Sequence, residues 1–261
     1  MMKPEEIAAY IGAAAWLPQI ATWLYHRFIR PSVRLVPNQY AEAGFTSFGP
    51  IFNLRMAFFA ENKDLVIDGM ELTLRHEDGD TRILRWAGLG ETFSEITDAA
   101  GNKQIVGRDQ SPIAIKVGTQ SFLEKFVRFQ EPRYHEGDRP LIQALVAHFN
   151  YLKQSKPATY VADTLASKEL FSLLEARKKS FWWKAGRFEV EVRITSPQTF
   201  NLLNSHFHFE LTKNDVSLLE KNVTALETDL RNIISSSLPD FQAQPLYWNW
   251  ANVDVHRQTD A

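Results

Sequence analysis

The chain has 261 residues, of which 44% are hydrophobic and 23% are charged, a balance typical of a folded globular protein and not of a disordered one. Its formal net charge of −2 gives no general attraction to polyanions, so no nucleic-acid partner is expected. The lack of cysteine excludes a disulfide framework, a thiolate zinc site and a cysteine nucleophile.

The first element is a long uncharged stretch, "IAAYIGAAAWLPQIATWLY", over residues 7–25. As a helix it would extend about 28 Å at 1.5 Å per residue, close to the roughly 30 Å hydrocarbon core of a bilayer. Pro4 suits the start of a helix and Pro31 suits its end. We expect residues 1–31 to form a single-pass transmembrane anchor. A helix lying at the membrane interface and a helix buried in a soluble domain are the alternatives.

Small and polar residues share one face of this helix, at alternating spacings of four and three residues: Ala8, Gly12, Ala15, Gln19, Thr22 and His26. In a bilayer, small residues allow two helices to approach closely and polar residues hydrogen-bond between them. The stripe therefore predicts a helix–helix partner or self-association into an oligomer. A helix rich in alanine also produces such a stripe by chance.

Basic residues flank the uncharged stretch unevenly. Arg27, Arg30 and Arg34 follow it, whereas Lys3 is the basic residue that precedes it. Because cytoplasmic flanks of membrane helices are enriched in lysine and arginine, we expect a membrane localisation with the large body of the chain in the cytoplasm. Membrane lipid is then a partner.

From residue 32 onward the hydrophobic period changes from helical to two, which is typical of strands with one buried face. The alternation is clear in "FNLRMAFFAEN", "GMELTLR", "GRFEVEVRI" and "HFHFELT", and Asp78–Gly79 predicts a hairpin turn between two such runs. We expect a mainly β fold over residues 32–212. The pattern looks like an antiparallel β-sandwich, immunoglobulin-like or C2-like.

Helical periodicity returns in two places. "RPLIQALVAHFNYLKQ", which begins with Pro140, and "SKELFSLLEARKK" predict a helical insertion around residues 139–181, with "SKPATYVADT" as a loop between them. A last amphipathic helix is predicted after Thr212, whose hydroxyl can cap it while Asp215 stands three residues on. We expect residues 213–261, this helix and an aromatic tail, to pack on the sandwich.

The motif "HFHFE" is the strongest candidate for chemistry. His206, His208 and Glu210 recur at every second residue and therefore project from one face of a strand. Two imidazoles and a carboxylate could bind zinc or iron if another ligand completed the shell. The intervening apolar residues, Phe207 and Phe209, mark the core face, however. The two histidines and Glu210 would then lie on the solvent-exposed face, where polar residues need no function. We expect no cofactor, and the three residues remain metal-site candidates.

No nucleophile, phosphate-loop or dinucleotide motif accompanies these features. We therefore expect a membrane-anchored, non-enzymatic protein whose cytoplasmic β-sandwich acts as a binding or scaffold module. One alternative is a metal-dependent enzyme with its site around His206, His208 and Glu210. The other is a soluble or peripheral protein that uses its N-terminal helix for assembly.

Overall fold

The computed structural model describes residues 16–25, 27–97, 103–111, 113–120 and 122–257. A first helix, α1, includes residues 16–25 and 27–28. The other helices are α2 Pro132–Ser155, α3 Tyr160–Leu165, α4 Lys168–Lys179 and α5 Lys213–Ser235. The strands are β1 Ser32–Thr46, β2 Gly49–Glu61, β3 Leu65–Ile67, β4 Gly69–His76, β5 Thr81–Thr97, β6 Lys103–Gln110, β7 Ile115–Val117, β8 Leu123–Gln130, β9 Gly186–Thr195, β10 Asn201–Leu203, β11 His206–Leu211, β12 Trp250–Asp254 and β13 His256–Arg257. The predicted mainly β class is confirmed.

One large sheet contains all of the strands except β3 and β7, which pair with each other. Its order is β10-β1-β2-β8-β5-β4-β9-β11-β13, with β6 paired to β5 and β12 paired to β1. Strand β12 pairs with β1 and strand β13 pairs with β11, and only Val255 separates them along the chain. The last segment therefore joins the two edges and closes the curled sheet.

This sheet differs from the two packed sheets of the expected sandwich. Strand β8 pairs with β2 on one side and with β5 on the other, so the hydrogen bonding continues without a break. The curvature brings distant strands together across the interior. Phe52 of β2 stacks on Phe209 of β11 with ring centroids 4.9 Å apart, although the two strands are not neighbours in the sheet.

The alternation of buried and exposed side chains follows the sequence pattern in three central strands. Their predicted inward residues are all buried: Met70, Leu72 and Leu74 of β4; Phe188, Val190, Val192 and Ile194 of β9; Phe207, Phe209 and Leu211 of β11. The hairpin predicted at Asp78–Gly79 joins β4 to β5, and Gly79 adopts the positive φ of 94° that such a turn requires. Period-two hydrophobicity thus assigned the faces of these strands correctly.

The two ends of the sheet carry different structures. Strand β1 begins opposite the end of β2, with Ser32 paired to Glu61, and β8 begins at the same level. We call this the α1 end, because α1 precedes β1, and the β3–β7 pair covers it with side chains buried in the core. The opposite, helical end is where β8 ends and β9 begins, with α2, α3 and α4 between them.

The helices at the helical end have a small core of their own, which is formed by Leu145, Val161, Leu170, Leu173, Leu174, Leu230 and Ile234. The last two belong to α5, whose Leu219 and Leu226 are part of the sheet core. Helix α5 therefore spans both cores. Its predicted start is confirmed: the Asp215 backbone N–H donates to Thr212 Oγ1 at 3.2 Å, and the Thr212 N–H donates to the Asp215 carboxylate at 2.8 Å.

One predicted helix start and one predicted loop are wrong. Helix α2 begins at Pro132 and continues through Pro140, which the sequence had suggested as its first residue. Asp138, between the helix start and Pro140, is buried and accepts a 2.8 Å hydrogen bond from Arg177 of α4, which fixes the segment before Pro140. The segment "SKPATYVADT" contains the short helix α3, because Val161 and Thr164 are buried against neighbouring helices.

A buried asparagine holds the chain that leads into the closing strand. Asn222 of α5 is completely buried. Its Oδ1 accepts hydrogen bonds from the backbone N–H and the side-chain amide of Asn249, and its Nδ2 donates to the Asn249 carbonyl. Trp250, the next residue, covers Gly44 of β1, where an added Cβ would lie 2.2 Å from the indole ring. These contacts position β12 against β1.

We predict that Asn222→Ala destabilises the protein by about 1–3 kcal/mol, because it removes the hydrogen-bond partner of the half-buried Asn249 from a completely buried position. Asn232→Ala is the matched control: Asn232 also bonds the return segment, at Gln244, but in an exposed position where water can replace it. Urea unfolding followed by far-UV circular dichroism measures both variants. Equal losses of stability would contradict the special role of Asn222.

Candidate functional site

Helix α1 exposes its large apolar side chains. Seven of them have exposed fractions of 41–77%: Trp16, Leu17, Ile20, Trp23, Leu24, Tyr25 and Phe28. No helix in the described ranges is long and apolar enough to cross a membrane, and residues 1–15 of the expected span lie outside those ranges. The apolar surface of α1 is therefore not covered by the core of the body.

The predicted contact stripe is described at two positions only. Gln19 is exposed, and the Thr22 hydroxyl donates a 2.7 Å hydrogen bond to the carbonyl of Pro18 within the same helix. Since this bond satisfies the hydroxyl inside α1, Thr22 needs no partner helix for its donor. Ala8, Gly12, Ala15 and His26 lie outside the described residues, so the stripe as a whole stays a prediction.

The connection from α1 to the sheet is short and held by hydrogen bonds. The N–H of Ile29 donates to the Tyr25 carbonyl at 2.8 Å, which continues the helical hydrogen bonding. Pro31 is buried, and its carbonyl accepts a 3.0 Å hydrogen bond from the N–H of Asn201 at the start of β10. Lys63, after β2, donates a 3.5 Å bond to the Arg27 carbonyl. The end of α1 is thereby fixed beside the α1 end of the sheet.

Further apolar side chains are exposed at this end of the sheet, and the sequence analysis missed them. Phe59 of β2 and Phe122, just before β8, stack with ring centroids 5.7 Å apart, and Phe122 is 62% exposed. Ile113, before β7, is 87% exposed. The signal that could have found them is the apolar content of "SPIAIKVGTQSF", where the strand itself needs only Ile115 and Val117 for the core.

The row of metal-site candidates lies on the outer face of the sheet. His206 and Glu210 are exposed and His208 is half-buried, while Phe207 and Phe209 between them are buried. No group of three histidine, aspartate or glutamate residues in the described part of the chain is arranged to hold a metal ion. The alternation that made these residues candidates therefore places their side chains on one face of the strand, but it does not bring them together around one metal position.

His208 instead meets residues of two neighbouring strands. Its register partners are Glu189 of β9 and His256 of β13, and the two imidazole centroids are 5.2 Å apart. Burial lowers the pKa of His208, the positive charges of Arg187 and His256 lower it further, and the Glu189 carboxylate opposes the change. The folded protein therefore favours the neutral form of the His208 imidazole, which lies where the closing strand β13 pairs with β11.

Two segments rich in charged or aromatic residues, at positions 75–80 and 176–184, have structural roles. In "RHEDGD", Asp78 accepts a 2.8 Å hydrogen bond from Lys184, and its carboxylate lies 2.9 Å from Nδ1 of the buried His76. Asp80 also forms an ion pair with Lys184. These bonds, from Lys184 above all, hold the pKa of Asp78 well below its usual range. In "ARKKSFWWK", Trp182 and Trp183 are buried, and the Trp183 indole N–H donates to the Gly44 carbonyl at 2.8 Å.

No family model, curated protein or solved structure matches this chain. Its function is therefore inferred from the geometry of its own residues.

We predict that His208 makes the protein less stable in mild acid. Its pKa is lower in the folded state than the usual value of 6.5, so the unfolded chain binds the proton more readily. The stability that the neutral imidazole contributes is present above about pH 6.5 and is lost as the pH falls through the folded pKa. His208→Gln should reduce the loss of stability between about pH 7.5 and about pH 5.5, measured by urea unfolding. His206→Gln, on the same strand, is the control.

An identical pH dependence in the wild-type chain and in His208→Gln would contradict this assignment. A change of equal size in His206→Gln would show that the effect belongs to the histidine row in general and not to the half-buried His208 beside His256.

Proposed function

We propose that this chain is a membrane-anchored protein whose cytoplasmic body is a non-enzymatic binding or scaffold module. The single observation that carries the proposal is the exposed apolar surface of α1. Transfer of a large apolar side chain out of water is worth roughly 1.5–3 kcal/mol when it is complete. Several such side chains together are sufficient to hold a body of this size at a bilayer without help from its net charge.

The orientation follows from the charges next to α1. Arg27 and Arg30 are exposed, and neither has a carboxylate partner among the described residues, whereas Arg34 is paired with Glu61 at 2.9 Å. Lysine and arginine residues are enriched on the cytoplasmic side of membrane segments. These two exposed guanidinium groups therefore support a body that lies in the cytoplasm.

The proposed binding role is supported by apolar side chains far from α1. Ile142 and Val146 of α2 lie one turn apart, and Phe171 of α4, the helix packed against α2, is 53% exposed. These exposed apolar residues lie on two neighbouring helices, and exposed apolar surface on a folded protein is often a protein contact surface. Because the helical end is opposite to the α1 end, a partner bound there would not compete with the membrane.

We predict that the full-length chain stays in the membrane pellet after alkaline carbonate extraction. Trp23→Asp should move a large share of it to the supernatant, because a carboxylate on α1 opposes insertion into hydrocarbon. Phe171→Asp, at an exposed site on the helical end, is the matched control and should not change the distribution. Both positions are exposed, so thermal unfolding should show a folded body in each variant.

Recovery of the intact full-length chain in the soluble fraction without detergent would contradict anchoring. Release by carbonate but not by water alone would indicate a peripheral protein, with α1 on the bilayer surface and not inserted.

We also predict that the body faces the cytoplasm. A single cysteine introduced as Phe171→Cys, in a chain that has none of its own, should react with a membrane-impermeant maleimide only after the cells are opened. Labelling in intact cells would reverse the orientation.

A further inference from the structure

We propose that the α1 end of the sheet lies directly against the lipid headgroups. The body is then docked on the bilayer and is not separated from it by a flexible linker. This inference rests on the proposed membrane anchoring and adds a second lipid-binding surface to it. The surface consists of Phe59, Ile113 and Phe122 together with the basic residues at the end of α1.

The connection between α1 and β1 is too short to hold the body away from the bilayer. From Phe28, the last described helical residue of α1, to Ser32, the first residue of β1, the chain makes four steps, which span at most about 14 Å. The observed hydrogen bonds of Ile29, Pro31 and Lys63 hold this connection beside the sheet. Each headgroup layer of a bilayer is only about 5–8 Å thick. If α1 reaches the hydrocarbon, the α1 end of the sheet must therefore come to the level of the headgroups.

The side chains at the α1 end of the sheet are of the kind that binds at a membrane surface. The Phe59–Phe122 stack and Ile113 present large apolar groups to solvent, and Ile113 is 87% exposed. Aromatic and branched apolar side chains are favoured at the boundary between headgroups and hydrocarbon. An anchored body would place them at that boundary, where their exposure in water is relieved.

Electrostatics also favours docking. Arg27 and Arg30 are exposed at this end and Lys63 is half-buried beside them, and lysine and arginine at the membrane surface are attracted to anionic lipids. Several nearby carboxylates are neutralised by basic groups of the chain itself: Glu61 pairs with Arg34, Asp64 with Lys116 and Glu124 with Arg55. The basic residues are thus left available for lipid phosphates and carboxylates.

The pairing of β5 with β6 adds a further part to this surface. Strand β6 pairs with the distal half of β5, from Leu89 to Thr97, and this ribbon continues past the start of β8 at the α1 end. A docked body therefore brings the β5–β6 ribbon into contact with the bilayer as well. The helical end, by contrast, faces away from it and serves as an internal reference.

The test uses the full-length chain bound to vesicles of phosphatidylcholine with a minor fraction of phosphatidylserine. Single cysteines at exposed positions carry a nitroxide: Ala114→Cys and Gln120→Cys at the α1 end, Ala21→Cys in α1 and Gln143→Cys at the helical end. These sites leave Ile113 and Phe122 intact. The ratio of nitroxide collisions with oxygen to collisions with a water-soluble nickel complex reports the depth of each label.

We expect this ratio to rise severalfold on vesicle binding at positions 114 and 120 and to stay unchanged at position 143. The double variant Phe59→Ser, Phe122→Ser should lower the ratio at positions 114 and 120 while leaving it high at position 21. Ratios at 114 and 120 that equal the ratio at 143, with position 21 still deep, would overturn docking but leave anchoring intact. A low ratio at position 21 would overturn both.

Discussion

The closure of the curled sheet by residues 250–257 is the constraint on which the rest of the structure depends. Strand β12 pairs with β1 from Tyr40 to Gly44 and strand β13 pairs with Phe207 and His208 of β11, so the closing segment covers part of the free edge of each strand. The contacts of Asn222 with Asn249 and of Trp250 with Gly44 fix the closing segment in place. Without this segment, the interior would be open between β1 and β11.

The closed interior is filled by the body's own side chains, and this explains why α1 is left outside. Phe52, Phe188 and Phe209 stack in the interior, Trp183 packs against two of them, and Leu219 of α5 belongs to the same core. The apolar residues of α1 therefore have no place in this core. Their exposure and the short link to β1 are the two facts from which the membrane proposals follow.

Much of the sheet could be predicted from the sequence, because each strand with one buried face repeats apolar residues at every second position. That pattern gave the faces of β4, β9 and β11 and the Asp78–Gly79 hairpin. It could not give the partner of each strand, since alternation is the same in a sandwich and in a curled sheet. The pairing of β8 with both β2 and β5 is a property of the tertiary structure.

The remaining differences have similar causes. The tail "PLYWNWANVDV" alternates apolar and polar residues only from Ala251 to Val255, a run too short to predict which strand it joins. Its strand β12 forms because β1 and α5 provide the partners. The exposed helix α1 agrees with an apolar N-terminal element, but a sequence cannot show that the body fills its core without it. The row His206, His208 and Glu210 illustrates the limit of motif reasoning: a shared face does not imply convergence on a ligand.

The central claim is that lipid contacts α1 and the α1 end of the sheet while the helical end stays in water. Hydrogen–deuterium exchange of the full-length chain, with and without phosphatidylserine-containing vesicles, tests it most directly. The account predicts slower exchange in peptides that cover residues 16–28 and 113–125 and unchanged exchange in those that cover residues 141–179. Unchanged exchange throughout, or slower exchange confined to the helical end, would contradict it.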